Sequence, residues 1–85
     1  MTQDEIIERG INAEHLLKNM MFQQTVQELV RIISESVLMT KPEDSKLREQ
    51  YYYAYQGIND VVGLLNQMVA AKLEQEQAIK AAEEN

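Results

Sequence analysis

Apolar side chains recur at spacings of three and four residues along much of this chain, which is the pattern of amphipathic helices. The strongest row lies in the second half and stays unbroken for three heptads: Leu47, Tyr51, Ala54, Ile58, Val61, Leu65 and Met68. A second row runs beside it and shares two of its members: Tyr55, Ile58, Val62, Leu65, Val69 and Leu73. Together the two rows form a face wider than a two-stranded coiled coil needs, which predicts two neighbours for this helix.

An earlier stretch predicts a second amphipathic helix. Its apolar row consists of Phe22, Val26, Leu29, Ile33 and Val37. The helix is expected to end before the single proline, because proline disfavours helical backbone at the residue preceding it. Residues 40–45 therefore form the one clear turn, and Thr40 or Ser45 is expected to cap the helix that follows.

The first eighteen residues show a weaker helical pattern. Thr2 and Glu5 have the spacing of a capping box, which favours a helix start. Gly10 costs about 1 kcal/mol relative to alanine unless it lets another backbone approach closely. Asn19 can cap a new helix, and the pattern leaves open whether the helix breaks there or continues.

These segments predict an all-α fold in a single domain, residues 1–85, with helices over 1–18, 20–39 and 45–82. The stretches before and after the turn correspond to rods about 55–60 Å long. Two architectures remain open: an antiparallel helical hairpin, or a three-helix unit with a long C-terminal helix if the chain bends at Asn19. Both leave apolar surface uncovered, so self-association is expected. The predicted interface residues are Phe22, Val26, Leu29, Ile33, Tyr51, Tyr55, Ile58, Val62, Leu65 and Val69.

The charge balance is acidic throughout. Fourteen acidic and eight basic residues give a net charge of -6, and each half of the chain has an acidic excess. Nonspecific binding to nucleic acid depends on Lys and Arg neutralising phosphates, so this composition disfavours a nucleic-acid partner. Cysteine is absent, which excludes disulfides, cysteine-ligated zinc and a thiol nucleophile.

Membrane insertion and secretion are also disfavoured. Asp60 is the only charged residue over positions 50–71, but this stretch contains amide side chains that are costly in hydrocarbon: Gln56, Asn59, Asn66 and Gln67. The acidic N-terminal sequence lacks a positive region followed by an apolar core, so no secretory signal peptide is predicted and synthesis in the cytosol is expected.

Residues suited to catalysis do not form a recognisable site. His15 is the only histidine, and neither Glu8 nor Glu14 stands three or four positions from it, as a helical metal pair requires. The serines have no nucleophile elbow around them, and no glycine-rich phosphate loop exists. The sequence therefore predicts no enzyme activity, no catalytic or metal-ligating residues and no cofactor.

Four of the five aromatic residues are tyrosines within a five-residue stretch: Tyr51, Tyr52, Tyr53 and Tyr55. Base stacking usually occurs among Lys and Arg, and acidic residues surround this cluster instead, so contact with protein is favoured. Tyr51 and Tyr55 stand four residues apart and suit a helical core, with Tyr52 and Tyr53 at its rim.

The order AEHLLKNMMFQQTVQELV, followed by TKPEDSKLREQYYYAYQGINDVVGLLNQMV, resembles a set of small all-helical proteins of tailed bacteriophages. There, a leucine pair before an Asn and a Phe-Gln leads into a helix, a Pro-x-Asp loop follows, and an Arg-Glu-aromatic stretch opens the last helix. The likeness covers residues 10–72, although this chain has Met where such proteins often have Pro after the Asn. The resemblance implies an oligomeric virion component or assembly accessory, found in the host cytoplasm or the virion, with other phage or host proteins as further partners.

The sequence thus favours a non-enzymatic protein that acts by protein contact as a helical oligomer. The alternative function is a small acidic inhibitor of a host protein, or a nucleic-acid mimic, which would present exposed carboxylates to a basic groove. A nucleic-acid packaging accessory ranks last, because only Lys41, Lys46 and Arg48 offer a basic edge.

Overall fold

The computed structural model describes residues 1–84, which form three helices and no strand: α1 (Gln3–Lys18), α2 (Met20–Leu38) and α3 (Ser45–Glu84). This confirms the predicted all-α class with a long C-terminal helix. The molecule measures 64 × 24 × 19 Å, so its length is that of α3 alone. Asn85, the last residue of the predicted domain, lies outside the described range.

Asn19 divides the first arm into two helices, which answers the question that the sequence left open. Its backbone is extended (φ -68°, ψ 125°), and its N–H donates to the carbonyl of Leu16 at 3.1 Å at the end of α1. Its side-chain Oδ1 accepts a hydrogen bond from the N–H of Phe22 at 2.9 Å and so caps α2. At the other end of α1, the Thr2 hydroxyl accepts from the N–H of Glu5 at 3.2 Å, as the capping box predicts.

Both short helices run antiparallel to α3. Gln3, near the start of α1, donates to the side chain of Gln75 at 2.9 Å. Glu14, farther along α1, pairs with Lys72, which precedes Gln75 in α3. Similarly, the end of α2 lies beside the start of α3. The fold is therefore an antiparallel hairpin whose first arm is broken at Asn19, with α1 against the C-terminal half of α3 and α2 against its N-terminal half.

The tightest packing lies between α1 and α3 at Gly10. A Cβ atom on Gly10 would stand 2.9 Å from the carbonyl oxygen of Met68 and would overlap Lys72 Cβ, so only glycine permits this approach. Ala13 follows one turn later and is 3% exposed. Within residues 1–84, only Gly10 and Ala13 are buried.

The turn between α2 and α3 is organised by polar groups at both helix ends. The Thr40 hydroxyl donates to the carbonyl of Val37 at 2.7 Å and so belongs to the end of α2. Asp44 precedes α3, its carbonyl accepts from the N–H of Arg48 at 3.1 Å, and its carboxylate accepts from the N–H of Lys41 at 2.9 Å. The expectation that Thr40 or Ser45 caps α3 was wrong. The Thr40 hydroxyl bonds to a carbonyl of the preceding helix α2, and Ser45 is already the first helical residue of α3.

Arg48 ties this turn to α3, because its guanidinium donates to Thr40 Oγ1 and to the carbonyls of Lys41 and Pro42 at 2.6–3.1 Å. Hydrogen bonds from a charged donor contribute more than neutral ones, so Arg48→Ala is expected to lower the free energy of unfolding by about 1–2 kcal/mol. Urea denaturation measures this loss. Lys46→Ala, which removes an exposed cation from the same turn of helix, is the control and should change stability by less than about 0.5 kcal/mol.

Candidate functional site

None of the ten residues predicted to form an interface is buried. Leu29 and Tyr55 remain 42% and 39% exposed. The other eight are half-buried: Phe22, Val26, Ile33, Tyr51, Ile58, Val62, Leu65 and Val69. A folded hairpin therefore leaves part of every one of these side chains in contact with water.

These residues mainly line the seam between the two arms of the hairpin. Leu65 lies in a groove together with Ala13 and Leu16 of α1, and Tyr55 lies in a groove with Ile33 of α2. The α3 residues between Tyr55 and Leu65 in the same row, Ile58 and Val62, share this face because their spacings are four and three. The arm formed by α1 and α2 thus supplies one of the two neighbours that the wide apolar face of α3 predicts. A contact of these residues between two copies of the chain remains a prediction.

Several large apolar residues outside the predicted set are more exposed than the eight half-buried residues of that set. On α3, Val61 is 56% exposed, Leu64 52% and Leu47 40%, and on α2 Ile32 is 45% exposed. Leu47 and Val61 stand in the strong row of the sequence pattern, so the pattern itself contained this signal. The predicted interface set missed them because it followed the second row, in which Tyr55 and Leu65 line grooves against α2 and α1.

A groove of about 550 Å³ lies between α2 and α3. It is lined by Val30, Ile33, Ser34, Val37, Leu38, Arg48, Tyr52 and Tyr55. Tyr52 and Tyr53 are 55% and 62% exposed, with ring centroids 6.0 Å apart. The Tyr52 hydroxyl accepts from Gln56 at 2.6 Å, and the Tyr53 hydroxyl donates to Glu49 at 3.2 Å. Tyr51 is half-buried, as its predicted core position requires, and Tyr52 and Tyr53 are exposed, as predicted. The prediction that Tyr55 also belongs to the core was wrong, because it is 39% exposed at the groove between α2 and α3.

Glu14 and Lys72 form the ion pair that joins α1 to α3. Lys72 Nζ stands 2.9 Å from Glu14 Oε2 and 3.5 Å from Glu76 Oε1, and its side chain is only 15% exposed. Lys18 pairs with the other Glu14 oxygen at 3.0 Å. The hydrogen bond from Lys72, followed by the one from Lys18, lowers the pKa of Glu14 from 4.5 to about 2. The same hydrogen bond from Lys72 to Glu14 raises the pKa of Lys72.

This ion pair predicts an acid-sensitive component of stability. Because the Glu14 pKa is lower in the folded chain, its contribution is fully present above about pH 4.5 and is lost as the pH falls toward 2. Thermal midpoints measured across this interval should therefore fall less steeply for Glu14→Gln than for the wild type. Glu8→Gln, on the same helix, is the control and should leave the slope unchanged. Equal slopes for wild type and Glu14→Gln would contradict the assigned ion pair.

The polar residues considered for catalysis are engaged in helix structure or are solvent-exposed. His15 is exposed, and Glu14, its chain neighbour, is held by two lysines. The Ser34 and Ser36 hydroxyls donate to carbonyls four residues earlier, each at 2.8 Å. Residues 1–84 contain no group of three or more His, Cys, Asp or Glu side chains placed to hold a metal ion. No helix in this range has the length and hydropathy to cross a membrane.

Comparison with known proteins yields no match: no family model fits the sequence, and no curated protein or solved structure is significantly similar to it.

Proposed function

We propose that this chain is a non-enzymatic protein that acts by protein contact, and that it self-associates through the apolar surface of its hairpin. The observation that carries the proposal is the excess of exposed surface. The chain exposes 6639 Å², whereas a compact monomer of 9.8 kDa is expected to expose about 5,200 Å². The difference exceeds the roughly 800 Å² that each partner buries in an interface of standard size.

The small core gives the physical reason for association. A chain of this length depends on burial of apolar area to offset its conformational entropy, and only Gly10 and Ala13 are buried within residues 1–84. Association buries further apolar surface at about 25 cal/mol per Å², which adds stability to a marginal hairpin. The folded hairpin and the oligomer are therefore expected to stabilise each other.

Self-association predicts that mass and stability depend on protein concentration. Light scattering after size exclusion should give a mass of at least two chains at concentrations of about 10–100 µM, and the thermal midpoint should rise with concentration because association stabilises the folded state. A stable monomer with a concentration-independent thermal midpoint would contradict the proposal.

The biological setting proposed here is a tailed-bacteriophage particle or its assembly, with the protein in the virion or in the host cytoplasm. Its support is the sequence likeness over residues 10–72. Mass spectrometry of purified particles and of assembly intermediates from a phage that encodes this chain tests the setting. Its absence from both would contradict a virion or assembly role.

An acidic inhibitor or nucleic-acid mimic is the alternative function, and the exposed carboxylates of the α3 tail favour it: Glu74, Glu76, Glu83 and Glu84. Salt distinguishes the two functions. Binding through exposed carboxylates weakens steeply as ionic strength rises, whereas association through apolar contacts tolerates salt.

A further inference from the structure

The groove between α2 and α3 combines an apolar wall with a single cation. Two helices form the wall: Val30, Ile33, Val37 and Leu38 of α2, with Tyr52 and Tyr55 of α3. Arg48 lines the groove one helical turn before Tyr52, at the end that lies beside the turn of the hairpin. Within residues 1–84, no other charged residue lines this groove.

The guanidinium of Arg48 has no carboxylate partner in the folded chain. Its three hydrogen bonds go to neutral acceptors in the turn, the hydroxyl of Thr40 and the carbonyls of Lys41 and Pro42. The ion pairs found within residues 1–84 do not include it. The carboxylates of Asp44 and Glu49, its nearest acidic neighbours along the chain, accept hydrogen bonds from other donors. A half-buried positive charge beside an apolar wall is therefore left without a negative partner.

Two N–H donors of Arg48 are also without an acceptor. A guanidinium carries five N–H groups. Nη1 makes two of the three hydrogen bonds to the turn, and Nη2 makes the third. Nε–H and the second Nη2–H therefore have no acceptor within residues 1–84. Nε and Nη2 lie on the same edge of the guanidinium plane, and such an edge binds the two oxygens of a carboxylate at once.

The groove has the size of a small-molecule site. Its volume of about 550 Å³ falls within the roughly 300–1,000 Å³ that is typical of such sites, which are apolar and contain a few polar groups that orient the ligand. Its wall is about 12 Å long from Val30 to Leu38, at 1.5 Å per residue. The next positions at helical spacing are exposed amides, Gln27 on α2 and Gln56 on α3. The apolar wall is therefore short, with a cation at one end and amides at the other.

We propose that this groove binds an amphiphilic carboxylate, a molecule with an unbranched apolar chain and one carboxylate, as in a medium-chain fatty acid. The carboxylate pairs with Nε and Nη2 of Arg48, and the apolar chain lies along the wall formed by α2 and α3. This inference does not depend on self-association, and it adds a ligand site to a protein proposed to act by protein contact.

An acidic helix of a partner protein shares the carboxylate chemistry but fits the groove less well. An average helix of about 11–12 residues is about 17 Å long, which exceeds the apolar wall. Its ends would press against the amides of Gln27 and Gln56 or against the turn. An unbranched chain with its charge at one end matches both the length of the wall and the position of Arg48.

Decanoate is the probe for this site, and decanol, which has the same chain length, is its control. Titration calorimetry with the full chain, below the micelle concentration, should show saturable binding of one decanoate per chain. Hydrogen bonds to a charged group are stronger than neutral ones, so decanol should bind at least about tenfold more weakly. Equal affinities for the two probes, or no saturable binding of decanoate, would overturn the inference.

Ser34→Glu and Thr25→Glu test the position of the site. Both residues are exposed on α2, and each hydroxyl donates to the carbonyl four residues earlier. Ser34 lines the groove, and Thr25 lies outside it. The new carboxylate of Ser34→Glu competes for Arg48 and repels the ligand, so decanoate affinity should fall at least about tenfold, whereas Thr25→Glu should change it by less than about twofold. Equal losses in the two variants, at equal helix content by circular dichroism, would contradict the site.

Arg48→Gln tests the ion pair directly. Because Arg48 also holds the turn, this variant is compared through the ratio of two affinities. Decanoate should bind Arg48→Gln no more tightly than decanol does, while decanol should bind it as it binds the wild type. A preference for decanoate that survives in Arg48→Gln would overturn the inference, and Ser34→Glu provides the test if Arg48→Gln does not fold.

Other occupants of the groove would give different results. If the groove joined two copies of the chain, Ser34→Glu without ligand would lose oligomer mass in light scattering, and Thr25→Glu would not. If a partner helix filled it, a helical alanine-based peptide with two leucines and one glutamate would bind saturably, and decanoate would not. Either result overturns the inference. Failure of decanoate to bind leaves the proposed self-association standing, since the mass of the wild type tests that separately.

Discussion

Gly10→Ala is expected to lower the free energy of unfolding by about 2 kcal/mol, although alanine is the better helix former. The added methyl group would overlap Lys72 Cβ and stand 2.9 Å from the carbonyl oxygen of Met68. Neither atom is at the free end of a flexible side chain, so α1 and α3 must move apart. Overpacking of this kind costs up to about 3 kcal/mol, which outweighs the gain in helix propensity of about 1 kcal/mol. Urea denaturation at fixed protein concentration measures the net loss.

Gly63→Ala is the control for this prediction, and its effect should have the opposite sign. A Cβ atom at Gly63 meets nothing within 4 Å, so alanine should raise the free energy of unfolding by up to about 1 kcal/mol. If Gly10→Ala were also stabilising, the close approach of α1 and α3 would be incorrect.

The importance of α1 could not be inferred from hydrophobic periodicity. Its apolar row is short and includes the small residues Gly10 and Ala13, yet α1 makes the most extensive contact with α3. Gly10 and Ala13 create this contact by being small, and small residues contribute little to an apolar pattern. The sequence indicated only that Gly10 would be unfavourable without a close neighbour, and the structure identifies α3 as that neighbour.

The turn and the break at Asn19 show what local sequence can and cannot establish. Proline at position 42 and the helix formers beyond it were enough to place the start of α3. The cap of α3 was assigned to the wrong residues, because Thr40, Asp44 and Ser45 all have suitable side chains and the periodicity does not fix which of them directly precedes the helix. The structure begins α3 at Ser45, so Asp44 is the preceding residue. Asn19 was correctly recognised as a possible cap, but the hydrogen bond to Phe22 was needed to show that the helix breaks there.

The sequence predicted that α3 has a wide apolar face, but it did not predict which residues of that face pack against the α1 and α2 arm. The width of the apolar face on α3 indicated two neighbours, and the α1 and α2 arm supplies one of them. Which row faces that arm depends on how the helices cross, and periodicity alone does not determine it. The sequence-based interface therefore fell largely on the seam, whereas Val61 and Leu64 of α3, each more than half exposed, lie outside it.

Leu65→Asp is expected to unfold a substantial fraction of the hairpin and, with it, to weaken association. Leu65 is half-buried in the groove between α1 and α3, beside Ala13 and Leu16. An aspartate there loses the apolar contacts of leucine and places an unpaired carboxylate against apolar side chains, at an expected cost of about 3 kcal/mol. A hydrophobic core in a chain this small supplies only about 3–5 kcal/mol, so a loss of about 3 kcal/mol should leave a substantial fraction of the variant unfolded.

Leu73→Asp is the matched control, since it makes the same change on the same helix at a side chain that is 50% exposed. Circular dichroism should show a marked loss of helix for Leu65→Asp and little change for Leu73→Asp. A fully helical Leu65→Asp monomer would instead assign Leu65 to the contact between copies, as the apolar pattern of the sequence first indicated.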